Sequence, residues 1–139
     1  MAQLHPYLTF NGNCNEAMSF YRECLGGKLM LQRINDAPLS EKMPEKMRQC
    51  ILQAVLITKT FVLMGTDIVT ENGLNKGNSV SLALHCSSEE EIRHYAEKLA
   101  AGGHIHQPLA QNDREVMISD ITDPFGNHWL LYFDKKQIL

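Results

Sequence analysis

The four cysteines, Cys14, Cys24, Cys50 and Cys86, contain no CxxC pair. That removes the usual spacing of a structural zinc or dithiol site. Free thiols in a reducing compartment are the plain reading. No apolar run approaches the ~20 residues of a membrane span, so no membrane partner is expected. The opening MAQLHPYLTF lacks the charged-then-apolar pattern of a signal peptide, and a cytoplasmic protein is the expectation. The net charge is −3, the pI is about 6.0, and no basic stripe stands out; a nucleic-acid surface is therefore not expected. No glycine-rich loop of the kind that binds S-adenosylmethionine follows a strand. What remains is an ordinary composition, 44% hydrophobic and 21% charged over 139 residues. Such a chain suits one domain that buries about two thirds of its unfolded surface.

The most informative stretch is SDITDPFGNHWLLYF, Ser119 to Phe133. Asp123-Pro124-Phe125-Gly126 has the residue preferences of a type I turn. The run His128 to Phe133 after it is too apolar and aromatic for a surface strand. The same logic divides the rest of the chain. Tyr7 to Phe10 alternates as a strand. Asn13 and Glu16 have capping-box spacing before a helix that ends near Leu25, with Asn15 the alternative cap. Ala17, Phe20, Tyr21 and Cys24 form its apolar stripe, and Gly26-Gly27 stops it. Lys28 to Ile34, Cys50 to Ile57 and Phe61 to Met64 follow as strands. Asn35 to Arg48, with Pro38 and Pro44, reads as a loop or broken edge.

After a polar, turn-rich junction at 70–78 the order repeats. Val80 to Leu84 is a strand. Ser87 or Ser88, with Glu90 or Glu91, caps a helix whose stripe is Ile92, Tyr95, Ala96 and Leu99. Gly102-Gly103 stops it, and strands at His104–Leu109, Glu115–Ile121 and His128–Phe133 follow. The expectation is an α+β fold in a single domain at 1–139, built from two βαβββ modules at roughly 4–69 and 79–134. Each helix must bury its stripe on its own sheet, and the two sheets are expected to form one curved, cup-shaped structure with the helices outside. Alternation then sends Tyr7, Thr9, Ser79, Ser81, Ala83, His85, His128, Leu130 and Tyr132 to the face away from the helices. Mixed polar and apolar residues on a concave face suit a small-molecule site. A ferredoxin-like domain, the rival fold, would leave the final two strands unplaced.

Three segments resemble the vicinal-oxygen-chelate superfamily of glyoxalase I, fosfomycin- and bleomycin-resistance proteins and extradiol dioxygenases, and more closely its PhnB-like branch, also described as 3-demethylubiquinone methyltransferase-like. They are PYLTFNGNCNEAMSFYRECLGG (Pro6 to Gly27), FVLMGTD (Phe61 to Asp67) and the run from Asp120 through DPFGNHW. The resemblance implies a glyoxalase-like fold and a homodimer. Metal-dependent members carry His on the first and fifth strands and carboxylates on the fourth and eighth. At the matching positions this chain has Tyr7, Ser79 or Ser81, no acid in Phe61 to Met64, and Leu130. Gln53-Ala54 stands where the branch often has His-Ala. No metal and no cofactor are therefore expected, since a hard or borderline divalent ion needs three or four N or O ligands.

The candidate ligand-binding residues are Tyr7, Thr9, Ser79, Ser81, His85, His128, Leu130 and Tyr132, with no catalytic residue assigned. Tyr7 is either a phenol acid or anchor, or a half-buried strand aromatic. His85 and His128, if they converge, could hold a metal or act as base and acid; otherwise they are rim histidines. His104 and His106 share a strand face but lack a third ligand. His5 misses the family register by two. Cys50 and Cys86 lack an identified base, Trp129 suits the core, Asp123 caps its turn and Asp67 sits in a loop. Three functions follow: a metal-independent small-molecule binder, a glyoxalase-type lyase or isomerase with a displaced metal, and a resistance-type dimer that sequesters a drug.

Overall fold

The computed structural model describes residues 1–36, 40–111 and 115–136. They fall into two compact units, Met1–Asn75 and Lys76–Leu139. The first runs β1 (Tyr7–Thr9), α1 (Cys14–Leu25), β2 (Lys28–Arg33), α2 (Glu45–Arg48), β3 (Ile51–Ile57) and β4 (Val62–Thr66). Its sheet has the order β1-β4-β3-β2, with β1 parallel to β4 and the other pairs antiparallel. The second runs β5 (Leu82–His85), α3 (Glu89–Ala100), β6 (His104–Gln111), β7 (Val116–Thr122) and β8 (His128–Asp134). Its order is β5-β8-β7-β6, again with the first and last strands parallel. Each unit is thus a mixed four-stranded sheet with one long helix packed on it, an α+β arrangement.

In the first unit Ala17, Met18, Tyr21 and Cys24 of α1 are buried together with Phe10, Ala54, Leu56 and Leu63. The helix lies close because Gly65 of β4 has no side chain. A Cβ there would stand 3.1 Å from Met18 Sδ and 3.2 Å from Cys14 Sγ. In the second unit Ile92 and Leu99 of α3 are buried with Met117, Ile121, Trp129 and Leu131. Ser88 caps α3, its Oγ accepting from Glu91 N at 3.1 Å. Glu91 Oε1 in turn accepts from the Ser87 backbone N–H at 2.9 Å, one residue outside the usual capping-box target. Gly27 is fixed twice over: its φ is +98° and a Cβ would meet the Ile57 carbonyl.

Three sequence expectations change. The strand expected from Val80 begins at Leu82. The parallel register sets Leu82 level with Trp129, so Val80 would have to pair with Asn127. Asn127 lies in the turn, where its carbonyl already accepts from Asp123 N at 2.9 Å. Val80 is accordingly 71% exposed. Second, Asn35 to Arg48 is not all loop: single 3-10 turns at Ile34–Asp36 and Ser40–Lys42 precede α2, which starts after Pro44. Pro38 lies outside the described residues.

The third change concerns the cap of α1. Asn13 is the N-cap of α1 but makes no side-chain cap bond. Asp67, in the loop directly after β4 as expected, is buried and does that work. Its Oδ1 accepts from Gly12 N at 3.0 Å and Cys14 N at 2.9 Å. Its Oδ2 accepts from Ile51 N at 2.8 Å. A carboxylate at a helix N-terminus also meets the positive end of the helix dipole.

Candidate functional site

Paired residues on neighbouring strands point to the same side of a sheet, and successive residues alternate. The β7–β8 register pairs Ile121 with Trp129 and Ser119 with Leu131 on the α3 side, and all four are buried. Thr122, Asp120 and Ile118 pair with His128, Leu130 and Tyr132 on the side away from the helix. Ala83 and His85 of β5 join that side opposite Leu130 and Tyr132. In the first unit, Tyr7 pairs with Met64 and Thr9 with Thr66, and Val55 and Met30 extend that row. Tyr7 is 56% exposed and Leu130 36%. Ser79 and Ser81 precede β5 and are exposed, so strand alternation does not orient them as expected.

His85 stacks on Tyr132, with ring centroids 4.6 Å apart and planes within 9°. His128 lies four residues from Tyr132 along β8, roughly 13 Å at the usual rise per residue. His85 and His128 therefore do not converge, because the register sets His85 level with Tyr132 rather than His128. His128 instead meets β6. Its Nδ1 lies 3.0 Å from Thr122 Oγ1, and the same hydroxyl lies 2.6 Å from His106 Nε2. The His106 and His128 rings are 6.4 Å apart. His104 packs edge-on against His106 at 4.6 Å. Sequence reasoning noticed that His104 and His106 share a strand but missed Thr122. The signal was present: Thr122 and His128 directly flank the turn and so must face each other across the hairpin.

Asp123 shapes that turn. Gly126 N donates to the Asp123 carbonyl at 3.0 Å, which closes a β-turn. Asp123 Oδ1 accepts from Phe125 N at 2.8 Å and Asn127 N at 3.0 Å. Its Oδ2 accepts from Trp129 Nε1 at 2.9 Å, tying the turn to the core.

A cavity of about 480 Å³ lies elsewhere in the first unit, bounded by the segment before β1 and the β3–β4 turn. His5, Pro6, Thr58, Lys59 and Phe61 are among its walls. None of the candidate ligand-binding residues lines it. The sheet face has the denser chemistry, and we place the candidate site there.

The superfamily's divalent ion does not fit this chain. The first-strand position carries Tyr7, whose register neighbour on β4 is Met64. The eighth-strand position carries Leu130, whose neighbour on β5 is Ala83. A phenol, a thioether, an isobutyl and a methyl group offer no donor set for such an ion. Among the described residues no group of three or more His, Cys, Asp or Glu could hold one.

The cysteine nucleophile reading fails at Cys86. Burial, helped by the nearby Glu91, pushes its thiol up to about 12. Cys14 is likewise pushed to about 12 by burial and by Asp67. Thiolate is the reactive form. Native protein at pH 8 should therefore be alkylated by iodoacetamide at half-buried Cys50, while Cys14 and Cys86 react only after unfolding; peptide mass mapping reads the difference. Above pH 9 the unfolded chain loses thiol protons that the folded chain retains, so these two groups make stability fall as pH rises.

The chain belongs to the family described as 3-demethylubiquinone-9 3-methyltransferase, whose model matches residues 2–132. Its fold is the one shared by solved glyoxalase-like structures. It is similar to PA1353 from Pseudomonas aeruginosa, with a TM-score of 0.85 and 31% identity over 96% of this chain and 98% of that one. The PhnB protein from Bacillus cereus superposes with a TM-score of 0.74 at 23% identity, covering 95% and 99%. Protein YjdN of Escherichia coli K12 is 25% identical over 96% of this chain and 97% of that protein. A glyoxalase/bleomycin resistance protein/dioxygenase family enzyme from Burkholderia phytofirmans PsJN shares the fold at a TM-score of 0.65 and 10% identity, covering 93% and 95%. No helix among the described residues is long and apolar enough to cross a membrane.

Proposed function

We propose that this PhnB-like chain binds a small organic molecule on the sheet face away from its helices, without the superfamily's metal. The ligand meets His128, Leu130, Tyr132 and His85 in the second unit; in the first unit, taken by itself, Tyr7 and Thr9 hold the corresponding positions. One observation carries the reading: an exposed leucine stands in the same row as a hydroxyl-linked imidazole pair and a stacked imidazole–phenol pair. Apolar surface beside a few oriented polar groups is the usual make-up of a ligand site. A homodimer is the assembly we propose, and the cytoplasm the compartment.

The test is a thermal-shift screen of small organic metabolites with and without Zn²⁺, Ni²⁺ or Mn²⁺. A ligand at 100 times its Kd stabilises the fold by about 2.7 kcal/mol, or roughly 5–10 °C for a chain of this size. The shift should need no metal and should vanish in Leu130→Arg, which leaves the buried α3 side untouched. Stoichiometric metal in the purified protein, lost on His128→Ala, would overturn the proposal in favour of a displaced-metal lyase. So would hits whose shifts survive Leu130→Arg.

A further inference from the structure

The hydroxyl between His106 and His128 has a consequence for protons. We propose that His106, Thr122 and His128 form a proton relay. The unit makes one imidazole a hydrogen-bond donor and the other an acceptor toward an oxygenated ligand bearing a carbonyl or hydroxyl group. The ligand clause rests on the binding reading above; the relay itself does not.

The argument is a count of protons. Thr122 Oγ1 is within hydrogen-bond distance of both ring nitrogens, 2.6 Å from His106 Nε2 and 3.0 Å from His128 Nδ1. A hydroxyl has one proton to give and two lone pairs to accept with. With both rings neutral it can donate to only one of them, and must accept from the other to keep both bonds. In the first arrangement His106 Nε2–H donates to Thr122, and Thr122 donates to His128 Nδ1. The remaining nitrogens are then a bare His106 Nδ1 and a protonated His128 Nε2. In the second arrangement Thr122 donates to His106 Nε2, and His128 Nδ1–H donates to Thr122. The remaining nitrogens have exchanged roles.

Either way the two rings share a tautomer, both Nε2–H or both Nδ1–H, and present opposite hydrogen-bonding characters at their other nitrogens. The bonded segment interconverts by passing the proton of one ring to Thr122 Oγ1 while the hydroxyl proton moves to the other ring. That leaves the charge unchanged; the outer nitrogens lose and gain their protons through the bound group or solvent. A ligand oxygen that accepts from one ring therefore dictates what the other can offer.

The surroundings fit such a unit. His104 flanks His106 edge-on. Asp120 is the next residue of β7 on the same face, paired with Leu130 of β8 and Gln107 of β6. No carboxylate hydrogen bond to either ring intervenes among the described residues.

The test is long-range ¹H–¹⁵N NMR of the imidazoles in ¹⁵N-labelled full chain at pH 8.5, where neutral rings reveal their tautomers. Wild type should show matched tautomer populations at His106 and His128. Thr122→Val, nearly isosteric, should change both populations, and Thr122→Ser should restore them. Far-UV circular dichroism checks that each variant is folded. Opposite tautomers at the two rings in wild type would overturn the relay, as would populations at both rings that Thr122→Val leaves unchanged. A ligand from the thermal screen should then shift both tautomers together. A matched apo pair with no ligand response keeps the relay and overturns only the ligand clause.

Discussion

Asp67→Ala should lower the unfolding free energy by about 3–5 kcal/mol, with little change in the denaturant m-value. The carboxylate receives three backbone N–H groups, from Gly12, Cys14 and Ile51. Hydrogen bonds to a charged group contribute roughly 1.5–3 kcal/mol each, and a buried donor left without its acceptor carries a desolvation cost besides. The sum is tempered because Gly12 is exposed and water can replace that bond. Cys14 and Ile51 are buried, so theirs are the costly losses. Asp67→Asn separates the contributions. An amide oxygen at Oδ1 keeps the Gly12 and Cys14 bonds at the start of α1. The amide nitrogen then faces Ile51 N–H, donor against donor. The expected loss is about half that of alanine, and urea unfolding of the three proteins orders them wild type, Asn, Ala. Equal losses for Asn and Ala would mean that the Ile51 contact alone matters.

Asp67 also marks the boundary of what one sequence discloses. The repeated β-α-β-β-β order was legible because its signals are local. Ala17, Tyr21 and Cys24 repeat at helical spacing, Leu82 and Leu84 at strand spacing, and glycine pairs end both helices. The cap of α1 was misread because its partner sits 53 residues away, where no spacing rule reaches. Local rules offered Asn13 and Glu16 instead, whereas Ser88 caps α3 through Glu91 N as its spacing suggests, and Glu91 bonds back within the same turn, to Ser87.

The candidate site divides the same way. Alternation placed His128, Leu130 and Tyr132 on one face, and register agrees. Which histidines meet depends on register between strands, so alternation left a His85–His128 pairing open, whereas the register brings His106, Thr122 and His128 together. The start of β5 went wrong for a related reason: Ser79 and Val80 would stand level with Gly126 and Asn127, in the turn before β8 begins at His128.

Asp123→Ala should cost about 3–4 kcal/mol, and the loss should divide between turn and core in a way a mutant cycle can read. Oδ1 holds Phe125 N and Asn127 N, which shape the turn; Oδ2 holds the indole N–H of Trp129, which is 3% exposed. Asp123→Asn keeps an oxygen for the turn and opposes an amide N–H to the indole N–H, at about 2 kcal/mol. Trp129→Phe removes that donor and leaves a small gap in the core. In the Trp129→Phe background the donor–donor clash no longer exists, so Asp123→Asn should become nearly neutral. The coupling energy between the two positions should then reach about 1–2 kcal/mol, within the range for residues in direct contact. Simple additivity would assign the Asp123 contribution to the turn alone. Because the turn fixes the register of Thr122 against His128, the Asp123→Ala variant, which loses both turn bonds, should broaden the imidazole resonances of His128 while those of His85, at the other end of the sheet row, stay sharp. That local loss would tie the hydrogen-bonded turn to the geometry of the site it carries.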